Sequence, residues 1–189
     1  MPEVMSRRDR KKAATRKSLS DAASRLFRER GYDNVTVADV AAEADTAVTT
    51  LFAHFPDGKQ ALIFGGSENR AAALAAAVRE RPTGTDALDA IERFIESRGP
   101  FGGVVDDETQ KVLDIIRVTP VLVEYARRRW VECEDVLTEV LLEELSPQGE
   151  DIVRPLARFI LEAPQLAGRS ATPRVALEDI FARLRRGWS

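Results

Sequence analysis

Cysteine occurs once in this sequence, at Cys133, and histidine once, at His54. A single cysteine excludes a disulfide framework within the chain and makes the cytosol the expected compartment. A single histidine, with no second ligand or catalytic partner close by in sequence, argues against a metal centre and against nucleophilic or acid–base catalysis. No glycine-rich phosphate loop and no clustered metal ligands are present, so neither an enzyme nor a bound cofactor is expected. Long hydrophobic runs are missing as well. The longest, residues 71–78, is alanine-rich and too short to cross a bilayer, and no apolar stretch near Met1 suggests a secretory signal. No segment alternates convincingly as a strand, and no internal repeat is visible.

The composition is otherwise ordinary: 189 residues, 44% apolar and 31% charged, with a formal charge of −3. That charge is unevenly spread. Arg7, Arg8, Arg10, Lys11, Lys12, Arg16 and Lys17 crowd the start, opposed nearby only by Glu3 and Asp9, and the acids are distributed over the rest. A basic end on an acidic chain fits an anionic partner; a solvated arm is the plainer explanation.

What the chain does have is helical periodicity. Leu19, Ala22, Ala23, Leu26 and Phe27 form one stripe over residues 10–30, closed by Gly31. Residues 35–55 carry two short patterns. Val37, Val40, Ala41 and Ala44 share a helix face, preceded by Thr36 with Asp39 three residues on, a capping-box pattern. Asp45 and Thr46 interrupt the face and are the candidate caps of a second helix marked by Val48, Leu51, Phe52 and Phe55. Two short helices joined by about three to four residues are what a helix-turn-helix requires, the second lying in the major groove of DNA; two core helices of any all-α domain fit the spacing too.

Beyond Gly58 the spacing predicts one long helix over residues 59–81 and another from a Thr83 or Thr85 cap to Gly99. A further helix covers residues 107–118, with Val112, Ile115 and Ile116 inward. A long pattern runs from Pro120 to Leu145. A helix over residues 151–163 ends at Pro164, and a last one starts at Thr172-Pro173. The fold is read as all-α, with about nine helices.

The first sixty or so residues resemble the TetR family of transcriptional regulators. The likeness lies in an ordered series: Ala22, Ala23, Leu26, Phe27, Gly31 and Tyr32; then Thr36, Val37, Val40, Ala41 and Ala44; then Thr50, Leu51, Phe52, Phe55 and Lys59. It implies residues 1–58 as an N-terminal arm and helix-turn-helix DNA-binding domain, and residues 59–189 as a helical ligand-binding and dimerisation domain. It implies a homodimer on a near-palindromic double-stranded operator, the third helix near Ala47 to His54 in the groove. It further implies a repressor that a small apolar ligand releases by moving the helix that begins at Lys59. A helical interaction module that kept the fold and lost DNA binding is the competing reading.

Two departures matter. Ala47 stands where the family often has Ser or Thr, and Phe52 where tyrosine is usual. Moreover, no lysine or arginine occurs between Gly31 and Gly58. The reading helix must then rely on Thr49, Thr50, His54 and contacts to thymine methyls, with Val48 and Phe52 at the DNA-facing surface. Backbone affinity must come from Lys59, helix N-termini and the basic arm, represented by Arg10, Arg16 and Lys17. Thr36 and Thr46 are phosphate candidates, though Thr36 is equally explained as a cap, and His54 is expected at a phosphate or simply exposed. In the second domain Phe101, Tyr125, Trp130 and Cys133 are candidates for a ligand cavity, with plain core packing as the alternative. Leu156, Phe159, Ile160, Leu177, Ile180, Phe181 and Leu184 are the expected dimer contacts of the last two helices, unless they face their own core.

Overall fold

The structure, a computed structural model, describes residues 6–65, 69–102, 106–145 and 148–187. Among them are eleven α-helices, one short 3-10 turn at Gly99–Phe101, and no strand. The chain divides into two compact units. The first comprises residues up to Ser67 together with Asp107–Thr119, the second Glu68–Asp106 and Pro120–Ser189.

In the first unit α1 (Arg7–Arg30) starts where Ser6 accepts the Asp9 N–H at 3.2 Å and stops at Gly31, whose φ of 79° favours glycine. The basic start of the chain is therefore a helix rather than an arm, and its residues from Ser6 to Ala14 are all exposed. Further along, Leu19, Ala22, Ala23, Leu26 and Phe27 turn inward. They meet α2 (Val37–Glu43), α3 (Val48–His54) and α4 (Lys59–Ile63) around a core of Val40, Leu51, Phe55 and Leu62. The helix expected over residues 59–81 breaks after Ile63: Gly65 takes a φ of 59°, and Asn69 caps a new helix by accepting the Ala72 N–H at 3.1 Å. The short α4 packs on α1, where Ser20 Oγ donates to the Leu62 carbonyl at 2.9 Å. Lys59 thus begins a helix held within the first unit, not one that runs on to residue 81. Also in this unit, α7 (Asp107–Val118) lies against α1, with Arg28 and Glu108 paired at 2.8 Å. Val112, Ile115 and Ile116 are only half-buried there.

The second unit packs α5 (Arg70–Arg79), α6 (Ala87–Glu96), α8 (Pro120–Val131), α9 (Glu134–Glu144), α10 (Glu150–Ala167) and α11 (Pro173–Gly187) around one apolar core. Three sequence expectations fail here for local reasons. Asp86, not Thr83 or Thr85, caps α6 by accepting the Leu88 N–H at 2.7 Å, while Thr85 closes a turn on Pro82. The long pattern after Pro120 is two helices, because hydrogen bonding steps to i−3 where the Cys133 N–H donates to the Trp130 carbonyl at 3.0 Å. Pro164 does not end α10: the helix runs to Ala167, and the Gly168 N–H closes on the Pro164 carbonyl at 2.9 Å. Proline removes one N–H and crowds the carbonyl four residues back, but buried Ala163, Pro164 and Ala167 hold the last turn against the core.

The same core takes up most of the residues named as dimer contacts. Leu156, Ile160, Leu177 and Phe181 are buried within the protomer, and Ile180 and Leu184 half-buried against them. Only Phe159 of that set faces outward, 69% exposed. Ile152 at 56% and Leu166 at 60% are exposed on the same helix, as is Val175 on α11 at 53%. Residues 152, 159 and 166 are seven apart, so they form one apolar stripe along α10. The heptad spacing is present in the sequence, but the stronger inward pattern beside it masks it.

Candidate nucleic-acid interface

The helix-turn-helix is assembled by local hydrogen bonds that the side chains dictate. At its start Thr36 Oγ1 accepts the Asp39 N–H at 3.1 Å, and Asp39 Oδ2 accepts from the Thr36 N–H at 2.8 Å and from its hydroxyl at 2.6 Å. These donors hold the Asp39 carboxyl below its ordinary range. Thr36 is thereby occupied as a cap, although it stays exposed.

The turn between α2 and α3 is a Schellman motif. The Thr46 N–H donates to the Ala41 carbonyl at 2.9 Å and the Asp45 N–H to the Ala42 carbonyl at 3.1 Å, with Asp45 at a φ of 48°. Neither Asp45 nor Thr46 caps α3, contrary to expectation. They terminate α2, and the cap position of α3 falls to Ala47, which has no side-chain acceptor to offer. Two substitutions test this. Ala47→Ser supplies the missing acceptor and is expected to stabilise the unit by about 1 kcal/mol. Asp45→Gly relieves the left-handed backbone and is expected to add roughly 0.5–1 kcal/mol. Chemical denaturation reads both, and a loss of stability in either would contradict the turn described.

On α3 itself Leu51 is buried, and Phe55 just after it is enclosed too. Ala47, Val48, Thr49, Phe52 and Ala53 are exposed, whereas Thr46, Thr50 and His54 are half-buried. Arg16 of α1 locks the far end. Its guanidinium donates to the His54 carbonyl and, at 3.3 Å, to the Gly65 carbonyl, and it stacks 4.2 Å from the centre of the Phe55 ring. Arg16 therefore holds α3 and the chain after α4 in place, a positioning task that the expected contact to the DNA backbone did not include. Lys59 is drawn inward similarly. Its ammonium lies 4.0 Å from the Tyr32 ring centre, and burial pushes its pKa down while Asp33 opposes that shift. Lys17 pairs with Asp21 at 2.6 Å on the exposed side of α1, and Arg10 points to solvent. Lys12, which the sequence shows only as one of several clustered cations, is close enough to act on His54. It lies one turn before Arg16 on the same helix face, a spacing that the sequence does contain.

His54 Nδ1 is enclosed without a hydrogen-bond partner. Burial, then the charges of Arg16 and Lys12, hold its pKa below the ordinary 6.5. As pH falls through 6.5, the unfolded chain takes up a proton that the native imidazole refuses, so stability must fall. Urea midpoints at about pH 7.5 and about pH 5.5, which bracket the free imidazole, are expected to drop more for the native protein than for His54→Gln. Equal drops would place His54 in solvent. The Asp39 contribution is lost only at more acidic pH, as that carboxyl protonates.

A capped helix, a left-handed turn and a second helix with one open face define a helix-turn-helix of the DNA-binding kind. The sequence profile of the family described as bacterial regulatory proteins, tetR family, matches residues 19–64, which span the second half of α1 and then α2 to α4. No curated protein matches the chain. Of solved structures, Salmonella enterica GusR is 18% identical over 92% of this chain and 93% of its own, with a TM-score of 0.55. A TetR-family transcriptional regulator from Pectobacterium atrosepticum is 16% identical over 97% and 96%, with a TM-score of 0.48. The chain thus carries the amino-terminal domain of the tetR family of bacterial regulatory proteins. Among the described residues no cluster of three potential metal ligands occurs, and no helix is long and apolar enough to cross a membrane.

Proposed function

We propose that this protein is a homodimeric transcriptional regulator that places one α3 in the major groove of each half of a near-palindromic operator. The observation carrying this reading is the open face of α3, Val48, Thr49, Phe52 and Ala53, inside the segment that matches the family. Thr46, Ala47 and Thr50 adjoin that face along the chain and, with Thr36 at the start of α2, are proposed phosphate or base-edge contacts, and the exposed cations of α1 supply most of the backbone attraction.

Dimerisation uses the stripe of Ile152, Phe159 and Leu166 on α10 with Val175 on α11. The stripe is flanked by ion pairs. Arg127 grips Glu162 at 2.6 and 2.8 Å, and Arg158 joins Glu162 to Glu134 at 3.1 and 2.7 Å. An apolar strip with a polar rim is the make-up of a protein interface. The protein acts as a repressor, released when a small apolar ligand enters the second unit. Phe101, Tyr125, Trp130 and Cys133, all buried there, supply the apolar and aromatic lining, with Arg70 stacked 4.4 Å from the Trp130 ring centre.

A salt titration of duplex binding tests the reading. A dimer neutralising about six phosphates gives a log–log slope near −5. The competing reading, an interaction module without DNA binding, draws on the five carboxylates and no lysine or arginine between Gly31 and Gly58. Salt-independent or absent binding to every duplex, including selected ones, would favour it instead.

A further inference from the structure

We infer that α3 selects its half-site through the C5-methyl groups of thymine rather than through hydrogen bonds to guanine or adenine, an inference that rests on the DNA-binding reading above. The side chains that read bases with paired hydrogen bonds are arginine or lysine for guanine, asparagine or glutamine for adenine, and carboxylates for cytosine. The α3 sequence, VTTLFAH, holds none of these. Folding then leaves Thr49 as its one fully exposed polar side chain. His54 and Thr50 are half-buried, and one imidazole nitrogen of His54 is sealed off.

What remains outside is a strip two residues wide. Val48 and Phe52, 37% and 44% exposed, form one i, i+4 pair, and Thr49 and Ala53 form the pair beside it. One hydroxyl interrupts a surface that is otherwise hydrocarbon. One edge of the Phe52 ring lies beside Gly58, where a Cβ would approach it to 3.3 Å. Arg16, which reaches the end of α3 from α1, and Lys59, the next cation along the chain, are turned onto Phe55 and Tyr32. In the major groove the hydrocarbon feature that marks a base pair is the thymine methyl. A pair of apolar side chains about one helical turn apart reaches neighbouring steps of a thymine-rich run.

The test uses the full chain and the tightest duplex selected from a random-sequence library, synthesised once with thymine and once with deoxyuridine throughout its half-sites. Each methyl touched is expected to change affinity about fourfold, the ratio equivalent to roughly 0.8 kcal/mol for one buried carbon. The salt slope should stay the same, since every phosphate is retained. Val48→Ala should shrink the thymine-over-uracil preference. Equal affinity for the two duplexes overturns methyl readout and leaves DNA binding standing. So does a uracil penalty that is undiminished in both Val48→Ala and Phe52→Ala, because it then belongs to the DNA. Failure to retain any duplex removes the DNA-binding reading and this inference together.

Discussion

Phe159→Glu is expected to leave single subunits in solution and to weaken binding to a two-half-site duplex by roughly a hundredfold or more, as an unpaired charge in an apolar contact costs about 3–5 kcal/mol. The side chain is exposed within its own subunit, so the substitution should not disturb that subunit's core. Phe159 is the middle of the three-residue stripe, with Ile152 one heptad before it and Leu166 one after. A glutamate there would face its counterpart across a twofold axis, and the neighbouring Arg158 is already engaged by Glu134 and Glu162. Light scattering gives the mass and thermal melting gives the fold. A dimer that persists with unchanged affinity excludes this stripe as the interface. Leu177→Ala makes a contrasting control, since that side chain is wholly buried and its truncation should destabilise the fold by an amount typical of a core residue, about 2–5 kcal/mol.

The second large effect concerns α1. Replacing Arg7, Arg8, Arg10, Lys11 and Lys12 by glutamine is expected to reduce affinity for every duplex alike, by roughly a hundredfold at physiological salt, and to flatten the salt slope by about 0.9 for each phosphate no longer neutralised. All five side chains are exposed and lie beyond the packed part of the helix, so the unit should remain folded. The physical need is clear from the charge of the motif itself. Asp33, Asp39, Glu43, Asp45 and Asp57 lie between Gly31 and Gly58, and the Arg25 pairing with Glu43 offsets one of them locally. Without the cations of α1 this surface would repel DNA. A loss confined to one operator sequence would show instead that these residues read bases. Arg16 must be left intact in this experiment. Its guanidinium supports the His54 and Gly65 carbonyls, and removing it would confound lost charge with a displaced α3.

The elements whose boundaries depend on nearest neighbours were legible in the sequence. Thr36 and Asp39 stand three apart and close the capping box, and Gly31 ends α1 because its backbone needs a positive φ. The inward faces of α1, α3 and α6 follow from the 3.6-residue period alone. The all-helical fold and the TetR resemblance both came from such patterns, and the match over residues 19–64 agrees with them. The break at Cys133 was not legible, since no glycine or proline marks it and only the packing of Trp130 and Leu137 into one core decides where the hydrogen bonding steps. Pro164 misled for the converse reason: a local stop signal was overridden by burial.

Neighbouring residues were enough to show an all-helical chain, to locate the helix-turn-helix, and to show that its reading helix carries no lysine or arginine. Each of these depends on residues within a few positions of one another. The fate of individual side chains was set by packing between distant parts of the chain. The tertiary structure showed that Arg16 and Lys59 turn inward onto aromatic rings, that Ala47 takes the cap position, and that Phe159, unlike Leu156 and Ile160, faces out. A helix period tells which residues share a face. Which face is covered depends on neighbours distant in the chain, and that information no local window contains.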